Sequence, residues 1–168
     1  MDSNQRDDLA VQVGQFLLAR GWTMSAAESC TGGLLMERLT RVPGSSAYVI
    51  GGIVAYAYEA KQKMLGVPAN MLIEHGAVSA EVAQAMALGA LGAFNTDVSV
   101  GITGIAGPGG GTPEKPVGLV YICAAHAGGL LRVERNVFSG NRDEIRHASA
   151  SRGLHMLMEL DEVSGMDE

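Results

Sequence analysis

The spacing of apolar residues alternates between helical and strand-like along this chain, and the alternation predicts its elements. Leu9, Val13, Phe16 and Leu17 recur at i, i+4, i+7 and i+8, an amphipathic helix ending near Arg20 and Gly21. Residues 22–27 carry no charge and read as a buried strand. Helical spacing resumes at Leu34, Leu35, Arg38 and Leu39, which predicts a helix from about Thr31 to Arg41. A turn over residues 42–46 leads to a second buried strand at 47–56, where Gly51 and Gly52 would mark a bulge. Residues 58–65 and 69–74 read as short helices. Ser79, as N-cap with Glu81 in the first turn, opens an alanine-rich helix to about Phe94. Apolar runs predict strands at 98–103, 117–125 and 130–138, with Gly128 and Gly129 turning a hairpin. Asn141 and Glu144 form a capping box for a last helix in which Ala150, Leu154, Leu157 and Met158 share a face. From Asp161 the tail is acidic and expected to fray. Helices alternate with strands early and a hairpin comes late, so the expected fold is α/β: one three-layer α/β/α domain with a mixed sheet.

Composition adds limits to that picture. A chain of 168 residues with 47% hydrophobic content can fill one core, and 23 glycines suggest close helix–sheet packing. A net charge of −6 argues against non-specific binding to nucleic acid or an anionic membrane. No apolar run approaches the roughly 18 residues of a spanning helix. The polar, acidic residues 1–8 are unlike a signal peptide, and Cys30 and Cys123 form neither a metal-ligand pattern nor a disulfide framework. Together these point to a cytoplasmic protein.

Two stretches carry candidate chemistry. Residues 27–33, Ala-Glu-Ser-Cys-Thr-Gly-Gly, lie at a strand-to-helix turn, where free N–H groups stabilise an oxyanion or a phosphate. Ser29 or Thr31 would equally serve there as a plain N-cap. The glycine-dense residues 101–116 separate two apolar strands, which favours a ligand loop with closely approaching amides over a slack linker. So many glycines should keep this stretch out of any helix or central strand. Familiar templates fail: Ala27 and Thr31, not glycines, flank Ser29; Gly32 stands where Ser-x-x-Lys needs lysine; Pro116 follows Lys115; and Gly101, Gly104 and Gly107 miss the dinucleotide spacing. His75, His126, His147 and His155 are scattered, although His147 and His155 could share one face of the last helix. Tyr56 and Lys61 sit where a strand passes into a helix, and a desolvated lysine can act as base toward a serine. Spacing alone favours a solvated Lys61, as for Lys63.

Residues 27–33 with 43–46, 56–61, 65–67, 75–79, 101–110 and 114–118 resemble, in order, the CinA C-terminal domain family over about residues 7–158. That family includes stand-alone nicotinamide-nucleotide amidases. The resemblance implies hydrolysis of the carboxamide of nicotinamide mononucleotide to nicotinate mononucleotide and ammonia, with no metal and no cofactor. It implies Ser29 as nucleophile, Lys61 as base and Tyr56 as proton relay; Cys30 beside Ser29 is the alternative nucleophile, although a buried cysteine there reads rather as filler. Amides at Cys30, Thr31, Gly32 and Gly33 would stabilise the oxyanion. Thr103, Arg142 and the amides around Gly104, Gly107, Gly109 and Gly110 would hold the phosphate, with Arg146 the alternative to Arg142. The implied partners are a small nucleotide substrate and a homodimer or higher homo-oligomer, without nucleic acid or membrane. Two other readings stay open: a catalytically silent nucleotide-binding accessory protein, and an amidase for another small carboxamide.

Overall fold

The computed structural model describes residues 3–164, with side chains for 8–160. Among them, five strands and six helices follow in the order α1 (Ser3–Arg20), β1 (Met24–Glu28), α2 (Leu34–Thr40), a 3-10 turn (Ser45–Ala47), β2 (Val49–Val54), α3 (Tyr58–Leu65), α4 (Ala69–His75), α5 (Ala80–Phe94), β3 (Val98–Gly104), β4 (Leu119–His126), β5 (Leu131–Val137) and α6 (Arg142–Ser164). The strands form one sheet ordered β2-β1-β3-β4-β5. β1 is parallel to both β2 and β3, whereas β3-β4 and β4-β5 are antiparallel. The fold is therefore the expected α/β architecture with a mixed sheet.

Strand alternation sorts side chains between two unlike cores. Met24, Ala26, Val98, Val100, Ile102, Val120, Ile122 and Ala124 face α1, α2 and α6, where Leu9, Val13, Leu17, Leu35, Leu39, Leu154 and Leu157 complete a large aliphatic cluster. The opposite face presents small residues, Ala27, Gly101, Cys123 and Ala125, toward α5. A Cβ on Gly101 would lie 2.4 Å from the Ala83 carbonyl and 2.6 Å from the Ala87 amide. α5 thus packs on the sheet at backbone distance. This corrects the expectation that the glycine stretch avoids a central strand: Gly101 and Gly104 belong to β3, because the approach of α5 and β4 needs residues without side chains there.

Other boundaries differ for local reasons. β1 begins two residues later than expected and continues through Glu28. α2 begins at Leu34 rather than Thr31, since Gly32 and Gly33 adopt positive φ and hold residues 29–33 as turns. β2 is an edge strand with alternating half-buried and exposed residues, not a buried one. Its irregularity falls at Ile50, skipped in the register between Met24/Val49 and Ser25/Gly51. Gly51 and Gly52 instead make room for the Phe94 ring and the Met36 side chain. β4 starts only after Gly118, whose φ of +91° places the Phe138 carbonyl where a Cβ would be. Both caps formed as expected: Ser79 Oγ accepts the Val82 N–H, and Asn141 and Glu144 exchange hydrogen bonds. α6 runs past Asp161 to Ser164, beyond the expected start of the acidic tail; residues 165–168 of that tail lie outside the described residues.

Candidate active site

β1, β2 and β3 end together at one rim of the sheet, and the turn after β1 carries Ser29 into it. The Ser29 N–H donates to the Ile102 carbonyl at 3.0 Å, tying the turn to β3 one residue before Thr103. Ser29 is 8% exposed. Beside it lies Lys61 from the first turn of α3, 1% exposed. Its stem is drawn inward from a helix whose Glu59 and Lys63 are exposed, so Lys61 is a buried lysine rather than a solvated one.

The Lys61 ammonium donates to Ser29 Oγ at 3.0 Å, to the Ala55 carbonyl at 2.8 Å and to the Tyr56 carbonyl at 3.0 Å. Three acceptors match the three N–H bonds of an ammonium. They also suit a neutral amine, which donates twice to the carbonyls and turns its lone pair to the Ser29 hydroxyl. Burial lowers the Lys61 pKa below the usual lysine value, against a smaller opposing influence from Cys30. The pair can therefore exchange a proton without breaking a carbonyl contact.

Tyr56 reaches this centre through its carbonyl. The residue is 60% exposed, and its phenol accepts a hydrogen bond from Arg142 Nη2 at 3.0 Å. The expected relay between the phenol and Lys61 is thus not the observed arrangement, because the carbonyl occupies the place at Nζ. Arg142 Nη1 also donates to the Gly107 carbonyl at 2.7 Å, so one guanidinium joins the α6 start, the glycine loop and Tyr56. Arg146, one turn on, donates to the Thr31 carbonyl at 2.9 Å. Both candidate arginines stand at this rim.

The amides near Ser29 are unequally free. Gly32 N–H turns back to the Ser29 carbonyl, and Gly33 N–H is held by the Glu28 carboxylate, so neither glycine is the amide donor expected of it. Thr31 is fully buried, and its hydroxyl has no hydrogen-bond partner among the described residues. Cys30 is 4% exposed; burial chiefly pushes its thiol up to about 11, which leaves it protonated at neutral pH and a poor nucleophile. Its role as filler agrees with that environment.

The glycine loop departs further from expectation. Gly104 packs against Val120 and the Leu119 carbonyl, Gly107 against Val117, while Gly109 and Gly110 are exposed. Thr103 donates its hydroxyl proton to the Ala77 carbonyl at 2.7 Å, committing it to the neighbouring segment. Lys115 supports that segment from the loop, donating to the His75 and Val78 carbonyls at 2.7 and 2.8 Å. No group of three or more His, Cys, Asp or Glu side chains able to hold a metal occurs among the described residues. Nor is any helix among them long and apolar enough to cross a membrane.

Sequence reasoning missed Glu28, whose carboxylate spans the start of α2. The signal was present: one acidic residue closing a run otherwise without charge.

A family model, the CinA C-terminal domain, matches residues 6–160. A CinA-like protein of Gemmatimonas aurantiaca is 53% identical over 151 residues, 90% of this chain and 35% of the relative. The chain spans about a third of the length of the curated relatives it matches. Among solved structures, a competence/damage inducible protein from Agrobacterium tumefaciens superposes with a TM-score of 0.91 at 42% identity, covering 93% of this chain and 95% of that one. A CinA superfamily protein from Klebsiella pneumoniae gives 0.90 at 32% identity, with 94% and 98% covered. With the family model spanning nearly the whole chain and these solved structures sharing its fold, the protein belongs to the CinA C-terminal domain family.

Proposed function

We propose that this chain is a nicotinamide-nucleotide amidase, converting nicotinamide mononucleotide and water to nicotinate mononucleotide and ammonia. The observation that carries the reading is the buried Lys61 Nζ, 3.0 Å from Ser29 Oγ with its other two bonds given to backbone carbonyls. Serine alone is a weak nucleophile, and an adjacent amine whose proton affinity is reduced by burial supplies the base it needs.

Ser29 Oγ attacks the carboxamide carbon while its proton passes to Lys61 Nζ. The tetrahedral intermediate carries an oxyanion, for which the amides of Cys30 and Thr31 in the Ser29 turn are the candidate donors. The C–N bond then breaks, and Lys61 returns the proton to the departing ammonia. Water attacks the acyl-Ser29 ester with Lys61 again as base, releasing the carboxylate and restoring the Ser29 hydroxyl. Tyr56 lies at the mouth, where its ring can cover the pyridine and its phenol orients Arg142.

Charge at the rim supports an anionic substrate although the protein as a whole is acidic. Arg142 and Arg146 flank the opening, and Arg142 can exchange its contacts with the Gly107 carbonyl and the Tyr56 phenol for phosphate oxygens. The test is ammonia release from nicotinamide mononucleotide by the purified chain and by its Ser29→Ala variant, with free nicotinamide and NAD as competing substrates. Turnover of the mononucleotide abolished by Ser29→Ala supports the reading. Absence of turnover on all three carboxamides refutes it.

A further inference from the structure

Glu28 closes β1 directly before Ser29, and its side chain is 1% exposed. Its Oε2 accepts the N–H groups of Gly33 and Leu35, and its Oε1 accepts that of Met36, each at 3.1 Å. Three backbone donors at the start of α2 thus converge on one carboxylate, and the residues between, 29–32, form the turn that carries Ser29. The Glu28 carbonyl also accepts the Ala55 N–H at 2.9 Å, and the carbonyl of Ala55 holds Lys61. One residue is therefore bonded to both supports of the Ser29–Lys61 pair: by its side chain to the far end of the serine turn, and by its backbone to the peptide that anchors the amine.

We propose that Glu28 is a positioning residue that sets the approach of Ser29 Oγ to Lys61 Nζ, an inference that rests on Ser29 being the nucleophile. Its carboxylate is bonded to the amides of Gly33, Leu35 and Met36 rather than to Ser29 Oγ or Lys61 Nζ; it satisfies donors that would otherwise take water or a ligand anion, and it fixes where that helix begins. The Ser29 turn is then clamped at three points: the Ile102 carbonyl, the Gly32-to-Ser29 bond and Glu28. A base and a nucleophile 3.0 Å apart on different elements depend on such clamping, since displacement by about 1 Å can cost on the order of 100-fold in rate.

Glutamine at this site keeps the shape and loses one acceptor. Both carboxylate oxygens accept N–H groups, so either orientation of the amide sets its NH2 against a backbone donor. Aspartate keeps the charge but is one methylene too short to reach all three amides. The test is covalent labelling by a fluorescent alkyl fluorophosphonate, in which the Ser29 O–P bond forms, the P–F bond breaks, fluoride leaves and the hydroxyl proton goes to Lys61. This readout does not depend on the natural substrate. Wild-type chain labelled at Ser29, with Glu28→Gln folded by circular dichroism, unchanged in affinity for nicotinamide mononucleotide, and labelled about 10- to 100-fold more slowly, supports the proposal. Glu28→Gln labelled at the wild-type rate overturns it and leaves the nucleophile assignment standing. Failure of wild type to label at Ser29 removes the nucleophile and this inference with it. If Glu28→Gln does not fold, Glu28→Asp decides by the same rate; failure of both to fold makes Glu28 a folding residue and overturns the positioning role.

Discussion

Replacing Lys61 by methionine keeps most of the buried stem and deletes the amine, which separates base chemistry from packing. The variant loses the hydrogen bond to Ser29 Oγ and the donors to the Ala55 and Tyr56 carbonyls. Removing a general base lowers rate by about 100- to 10,000-fold, or roughly 3–5 kcal/mol of barrier. Each carbonyl left without a donor costs about 1–3 kcal/mol, but a desolvated amine is removed in the same step, so folding should survive. Lys61→Arg keeps a cation that does not give up its proton, and should be nearly as inactive. Because burial lowers the Lys61 pKa, the neutral, active amine gains population as pH rises, and wild-type kcat/KM for ammonia release should climb through one ionisation below 10.5 and then level. The same shift links to stability. Between the folded-state value and 10.5 the unfolded chain binds more protons than the folded one, so wild-type stability should rise with pH across that window, and Lys61→Met should lack this rise. The assays are ammonia release against pH and denaturant unfolding at matched pH. Near-normal turnover by Lys61→Arg would refute the reasoning, since a permanent cation would then suffice.

Ser29→Ala should abolish turnover while leaving nucleotide affinity and unfolding midpoint near wild type, and Cys30→Ser should retain activity because the Cys30 thiol stays protonated; the reverse pattern in ammonia release would make the thiol the nucleophile. Nicotinamide riboside, which lacks the phosphate, should be a poor substrate, and Arg142→Ala should raise KM for the nucleotide far more than for the riboside; equal kcat/KM on both would exclude a phosphate site at this rim. Between α6 and β5, Arg152 bridges Glu134 and Glu159, and hydrogen bonds from Arg152 hold both carboxyls below the usual glutamate value. Their stabilisation is present above about pH 4.5 and is lost as pH falls through the lower folded-state values, so Glu134→Gln should cost about 1–2 kcal/mol at neutral pH, with the difference from wild type shrinking in acid. Thermal unfolding across pH 3–7 checks it.

Much of the fold is legible because its signals are local. The helical spacing of Leu9, Val13 and Leu17, the Ser79 cap and the Asn141–Glu144 box each depend on residues within a few positions of one another, and all three appear as expected. The sheet needed contacts distant in sequence. Val-Ile-Gly-Gly-Ile-Val reads as buried, yet it forms the edge, because among the described strands it pairs with β1 alone. Gly104 falls outside the expected strand and yet ends β3, because β4 lies at backbone distance from it.

The site divides in the same way. The residues of the Ser29 turn and the glycine loop could be named from the chain alone, since glycine density and a hydroxyl at a strand end are visible in a linear string. Tertiary structure alone decided what each group does with its hydrogen bonds. It buried Lys61 against Ser29 while Lys63 stayed outside, turned the Tyr56 carbonyl rather than its phenol toward the amine, committed the Thr103 hydroxyl to Ala77, and closed Glu28 over the amides of α2. Residue types and their spacing specify which donors and acceptors exist. Their partners, and the desolvation that shifts a lysine toward its neutral form, arise from segments tens of residues apart meeting at one end of a sheet, which no local pattern encodes.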